Sequence, residues 1–414
     1  MGGIRVWPPW LNCLRIGSKP LQKLLERPVA LVLILFALAY LPFLNSRMIK
    51  IHNDQAVYLG QVIEMIERGD WFFQTQFGNP YFHKGPVHYL LVHFGYHLFD
   101  LSLAATVYMN VILHLAGALL ILRLVQRVKV SAVTELLMPA IYMLSIPLYL
   151  YCFVSQMEIE LCFIYTLATY FLGSTSQVLS PGRTPTGGRL LFWLVCGFAG
   201  LIKSPLHSVF LGLSGLLFWW LDGSLPRQLK DIRFYLAAMA GICFCIIGFL
   251  PTVLSDPAGW WDSYIVQQSL SRTGFLDDPP INFILSTFWA NLAPWVGPIF
   301  VGYIFWAKVL TRFAISRSSL KEIPAGLLTL AKLGLAILIP TVGYFMAFGH
   351  FAQWYGVPVV IGVICLTGAA WETQRHGSHD RWYFRTLWPL SGLLFLTVAV
   401  VITALYWTVL KEES

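Results

Sequence analysis

Charge is what this sequence has least of. Asp, Glu, Lys and Arg make up 12% of the 414 residues, against 57% hydrophobic. A water-soluble domain of that composition could not cover its own surface, which excludes a soluble globular protein. Cysteine is sparse and unpatterned. Cys152, Cys162, Cys196, Cys243, Cys245 and Cys365 lie in or beside apolar runs, and Cys13 lies in a basic N-terminal segment. With no CxxC among them, the spacing predicts neither disulfides nor a structural zinc site. No HExxH occurs, no internal repeat and no low-complexity tract. Basic residues outnumber acidic ones by eight, but they are not gathered into the stripe that a nucleic-acid groove requires, so no nucleic-acid partner is expected.

What the chain has instead is long apolar runs and a mean hydropathy of +0.67. A helix of ~20 apolar residues crosses ~30 Å of hydrocarbon, and such runs recur from end to end. The expected fold class is an all-α polytopic membrane bundle of about eleven spans. They fall near 28–45, 103–122, 131–151, 158–173, 189–202, 205–221, 234–254, 283–306, 324–346, 355–371 and 387–409. The run after Arg27 is long and lacks a clear small-residue cleavage site, so it reads as a retained span. Of 28 Lys and Arg, 20 fall on one side of this layout, among them Arg123, Arg127, Arg189, Arg227 and Arg375. The positive-inside rule then puts the N-terminus in the cytoplasm and two large loops outside, 46–102 and 255–282.

The outer loops carry the isolated polar residues. In the first, HNDQAVYLGQVIEMIERGDWFFQTQFGNPYFHKGPVHY covers His52 to Tyr89. Its residues 55–68 read as an amphipathic helix in the interface, with Leu59, Val62, Ile63 and Ile66 on one face and Gln61, Glu64, Glu67 and Arg68 opposite. Asp54 stands at its start, as a helix cap or as a carboxylate acting as general base. Lys84, in a loop constrained by Gly85-Pro86, reads as a phosphate ligand or as a lysine snorkelling to headgroups. Aromatic residues around it, Tyr81 among them, suggest an ordered loop.

Further along, Glu158 and Glu160 open the fourth span in SQMEIE. They lie about 200° apart on a helix, so they cannot share a face. One is expected to face a site, with Glu158 favoured, and the other the headgroups. Lys203 in LIKSPLH is an outer-surface anchor or a second phosphate ligand. Arg272 in the second outer loop could clamp a phosphate bidentately, or pair with Asp277 or Asp278. His83, His88, His93 and His97 read mainly as polar residues facing headgroups. His83 is the best single candidate for a metal ligand, and His350 could line the cavity.

Asp54 before the loop helix, then ERGDW at 67–71, then GNPYFHKGP at 78–86, resembles the first outer loop of GT-C membrane glycosyltransferases. The pattern is similar to that of bacterial aminoarabinose lipid A transferases and their protein mannosyltransferase relatives. The likeness continues at Lys203, Arg272 and APWVGPIF (293–300). Here Asp54-Gln55 stands where the family often has Asp-Glu, and His83-Lys84-Gly85-Pro86 where it commonly has Glu-Lys-Pro-Pro.

The resemblance implies a GT-C bundle with a catalytic module over 1–306 and variable helices over 307–414. It implies an inverting glycosyltransferase in a bacterial inner membrane, working on the periplasmic side. The donor would be a polyprenyl (undecaprenyl) phosphate-sugar, and the acceptor a lipid, glycan or protein. Asp54 would be catalytic. Lys84, Arg272 and Lys203 would hold the donor phosphate, and Glu158, Tyr81 and His350 the substrates. No cofactor is required, and use of a divalent metal stays open. The alternative is a transporter or flippase of polyprenyl-linked sugars, which more often has repeated halves.

Overall fold

The computed structural model describes residues 27–44, 53–82, 84–99, 105–154, 156–182, 185–270, 299, 306, 323–348 and 353–376. Helices dominate it. Helix α1 (Pro28–Tyr40) is followed by the loop helix α2 (Asn53–Arg68), a hairpin of β1 (Thr75–Gln76) and β2 (Asn79–Pro80), and α3 (Pro86–Phe99). Then come α4 (Ala105–Val128), α5 (Ala132–Leu144), α6 (Ile146–Cys152), α7 (Met157–Ser174), α8 (Thr186–Ile202) and α9 (Pro205–Leu221). The short α10 (Leu225–Leu229) leads into α11 (Ile232–Ser255), α12 (Pro257–Trp260) and a π-helical segment, Trp261–Leu270. Helices α13 (Ala325–Phe348) and α14 (Val360–His376) complete the described part, the latter preceded by a 3-10 stretch, Gln353–Val359.

Helices occupy nine of the eleven expected spans. The other two, 283–306 and 387–409, lie outside the described residues apart from Ile299 and Trp306. Among the described residues four helices are long and apolar enough to cross a membrane, by length and composition: Ala105–Val128, Ile232–Ser255, Ala325–Ala347 and Gly356–Gln374. The expected span 131–151 is broken in two. Ser145 leaves the helix with extended backbone, and Pro147 begins α6, where a missing N–H costs nothing.

One apolar core runs from Val32 in α1 to Trp371 in α14. Two glycine pairs let helices meet backbone to backbone, as small residues do where helices pack in lipid. A methyl group on Gly197 of α8 would overlap the Gly241 carbonyl of α11, and Gly334 of α13 and Gly362 of α14 approach in the same way. Helix α14 is enclosed along most of its length, whereas α11 lies at the rim. Ile232, Leu236, Met239, Ile242, Ile246, Leu250 and Leu254 form an exposed stripe along α11. Water would not tolerate it, and hydrocarbon would.

Helices α7 and α8 run antiparallel, and their ends differ in character. At one end Arg189 donates to Asp231 (2.6 Å) and Gln228 (2.8 Å), and Arg127 lies over the Tyr170 ring and donates to Ser174 (2.7 Å). At the other end lie Glu158, Glu160 and Lys203.

Candidate active site

The segment between α1 and α3 is built as a clasp. Helix α2 ends at Gly69, whose φ of +66° suits a residue without a Cβ. Asp70 then turns the chain, its Oδ1 accepting from the N–H groups of Phe72 (2.9 Å) and Phe73 (3.2 Å). Glu64 holds the hairpin tip. It accepts from the Phe77 N–H (2.7 Å), the Gly78 N–H (3.2 Å) and the Thr75 hydroxyl. Phe77 and Gly78 both have positive φ, as the two central residues of a tight hairpin turn must. Arg68 pairs with Glu64 at 3.6 Å and donates to the Phe73 carbonyl at 2.6 Å. The Thr75 bond holds the Glu64 carboxyl below its usual pKa against the opposing pull of burial, helped by the Gly78 and Phe77 N–H groups and Arg68.

Beyond the hairpin, the Tyr81 N–H bonds the Gln74 carbonyl (3.0 Å) and Phe82 is buried, which leads the chain to a half-buried Lys84. Gly85 is then pressed onto the end of α8. Any Cβ there would overlap the Leu201 carbonyl oxygen, so this packing requires the glycine. Two residues beyond Leu201 stands Lys203, whose Nζ lies 2.6 Å from Glu158 Oε1. Glu160 Oε1 lies 2.6 Å from His88 Nδ1 on α3. Tyr264 donates to the Gly200 carbonyl at 3.2 Å and brings the π-helical segment to the same place.

The segments around Lys84, Glu158 and Lys203 therefore converge on one end of the bundle. Tyr81 reaches this neighbourhood too, since it lies close enough to Tyr89 to act on its hydroxyl electrostatically. Asp54 is the second residue of α2, at the helix end that favours a carboxylate. Its side chain, and Arg272, His350 and His83 altogether, lie outside the described residues. Among the described residues no three His, Cys, Asp or Glu side chains gather as metal ligands would.

Three expectations change. Glu160 does not face headgroups: it is 2% exposed and bonded to His88. His93 does not face them either. It is buried, with Trp71 stacked on it at 3.9 Å and His97 Nε2 3.2 Å from its own Nε2. Burial, then the neighbouring His97, lowers its pKa, with Asp70 opposing. Finally, the inner face of α2 is Tyr58, Leu59, Gln61, Val62 and Met65, while Ile63 points out. Gln61, Gln74, Tyr89 and the Glu160–His88 pairing went unrecognised in the sequence. The one available signal was Gln61, three residues after Tyr58 and three before Glu64.

No protein-family model and no curated protein sequence matches the chain. Solved structures do. A crystal structure of ArnT from Cupriavidus metallidurans bound to undecaprenyl phosphate superposes with a TM-score of 0.67 at 17% identity. The apo form of that protein superposes with a TM-score of 0.65, also at 17% identity. The fold is that of ArnT, a GT-C glycosyltransferase. The matches cover 94% and 93% of this chain but 64% of each ArnT chain. The ArnT fold thus accounts for almost everything described here, and ArnT extends well beyond it.

Proposed function

We propose that this protein is a glycosyltransferase that takes a sugar from a polyprenyl-phosphate donor at the outer face of the bacterial inner membrane. The observation that carries the reading is Gly85 seated on the end of α8. It packs the chain next to Lys84 against the end of α8, two residues before Lys203, in a fold shared with a protein whose crystal structure holds undecaprenyl phosphate. The donor's lipid tail lies between helices, with its phosphate at the interface. Lys84 and Arg272 neutralise that phosphate as negative charge grows on it. Lys203, bonded to Glu158, adds a positive pole shared with that carboxylate, while Tyr81 and His350 line the substrate site. The catalytic part is the 1–306 module, and a divalent metal at His83 is not required by this reading.

Transfer is a single in-line displacement. The acceptor oxygen bonds to the anomeric carbon from the face opposite the phosphate. The carbon–oxygen bond to the phosphate breaks, and polyprenyl phosphate leaves with the electron pair. Asp54 takes the acceptor's proton and the anomeric centre inverts. The acceptor is a hydroxyl of a lipid, a surface glycan or a protein; if it is a phosphate, Asp54 positions it instead. Purified protein supplied with donor and acceptor should form product. General bases contribute ~100- to 10,000-fold, so Asp54→Asn should lower the rate with a hydroxyl acceptor by that order. Full activity of that variant would refute the assignment. Lys84→Ala and Arg272→Ala should lose transfer while staying folded.

A further inference from the structure

We propose that Glu160, His88 and Tyr89, flanked by Gln61, form the subsite that recognises hydroxyl groups of the sugar being transferred. This rests on the reading above and adds which residues meet the glycosyl unit. Glu160 and His88 spend one atom each on their mutual 2.6 Å bond. The other carboxylate oxygen, Oε2, and the other imidazole nitrogen, Nε2, are buried without a hydrogen-bond partner among the described residues. So are the Tyr89 hydroxyl and both amide atoms of Gln61 and of Gln74. Buried polar groups in native proteins are nearly all paired, and exceptions call for a reason. Here they adjoin. His88 and Tyr89 are consecutive, and the Tyr58 ring lies 5.4 Å from one and 5.9 Å from the other. Gln61 is one turn along α2 from Tyr58, on the same buried face.

The chemistry of the set selects among the parts of the donor. Glu160 Oε2 accepts, the Tyr89 hydroxyl does both, and the Gln61 carboxamide offers two donors and an acceptor. A phosphate would be repelled by the carboxylate, and a polyprenyl chain makes no hydrogen bonds. Sugar hydroxyls, each both donor and acceptor, fit all of these atoms. Lys84 precedes His88 by four residues, so the chain keeps the proposed phosphate and sugar sites near one another, as the donor does. Glu158, expected among the substrate ligands, is bonded to Lys203, whereas Glu160 has a buried oxygen to spare.

The test compares bare undecaprenyl phosphate with its glucosyl, arabinosyl and N-acetylglucosaminyl derivatives as competitors for the full-length protein in nanodiscs. Wild type should bind at least one glycosylated probe tenfold or more tightly than the bare lipid. In Glu160→Gln that preference should fall about 10- to 100-fold, and in Tyr89→Phe about 3- to 10-fold, as loss of a charged or a neutral hydrogen bond does. Binding of the bare lipid should stay within twofold. Tyr89→Phe removes only an unpartnered oxygen, so it should fold normally and decide the matter if Glu160→Gln does not fold. A preference unchanged in the folded variants overturns the inference, as does a wild type that binds the bare lipid and no sugar better. A wild type that binds none of the probes overturns the proposed function itself.

Discussion

Lys203 and Glu158 are both largely buried, at 12% and 6% side-chain exposure, and bonded at 2.6 Å. Truncating one partner of such a pair strands the other charge, at a typical cost of ~3–5 kcal/mol. Lys203→Ala should therefore lower thermal stability by about that much, and Lys203→Met with Glu158→Leu should recover most of it. Unfolding in detergent checks both, and a Lys203→Ala protein as stable as wild type would mean that the pair is not formed. Gln61 should behave in the opposite way. Its carboxamide is buried with neither atom paired, so Gln61→Leu should stabilise by about 1–3 kcal/mol. The two glutamates also show what a sequence can reveal at this scale. Their separation around α7 told that they face different ways. It could not tell that His88, 72 residues away, takes up Glu160, because that depends on how α3 docks.

At the level of elements, the segment from α2 to α3 is a pH-sensitive assembly. His93 has its pKa lowered from 6.5 by burial, so the fold favours the neutral ring. That contribution is complete above pH 6.5 and is lost as pH falls below it through the folded value. Glu64 has its pKa lowered from 4.5, chiefly by the Thr75 bond, so its contribution persists above that pH and fades in stronger acid. Acidification should free Trp71 from the histidine stack first and loosen the hairpin later. The fluorescence difference between wild type and Trp71→Phe should shift below pH 6.5, and protease cleavage at Phe77-Gly78 should rise below 4.5. A reversed order would contradict the assignment. Helix α2 and its stop at Gly69 were legible in the sequence. Its inner face was not, since Ile63 is 42% exposed while Gln61 is enclosed. Beside a bilayer an outward face can be as apolar as a core, so hydrophobicity no longer marks the inside.

Across the whole molecule, the bundle depends on helices that touch through glycine. Replacing Gly197 or Gly334 with leucine should cost about 1–3 kcal/mol or more by overpacking, measured as lost folded protein after extraction. The stripe on α11 should remain tolerant of Leu, Ile and Val exchanges, because lipid accepts any of them. Helix positions were readable from apolar runs alone, and the break at Ser145 was signalled by Pro147. The order of packing, with α14 enclosed and α11 at the rim, was not readable, because the rim helix is the more apolar of the two, the reverse of what burial from water would give. The account stands on Lys84 and Lys203 facing the head of one lipid. Photo-crosslinking with a diazirine-tagged undecaprenyl phosphate measures this directly. Adducts are predicted in residues 81–88 and 200–206, lost on adding excess untagged lipid and reduced in Lys84→Ala. Adducts confined to the opposite ends of α7 and α8, near Tyr170 and Arg189, or none that the untagged lipid displaces, would contradict it.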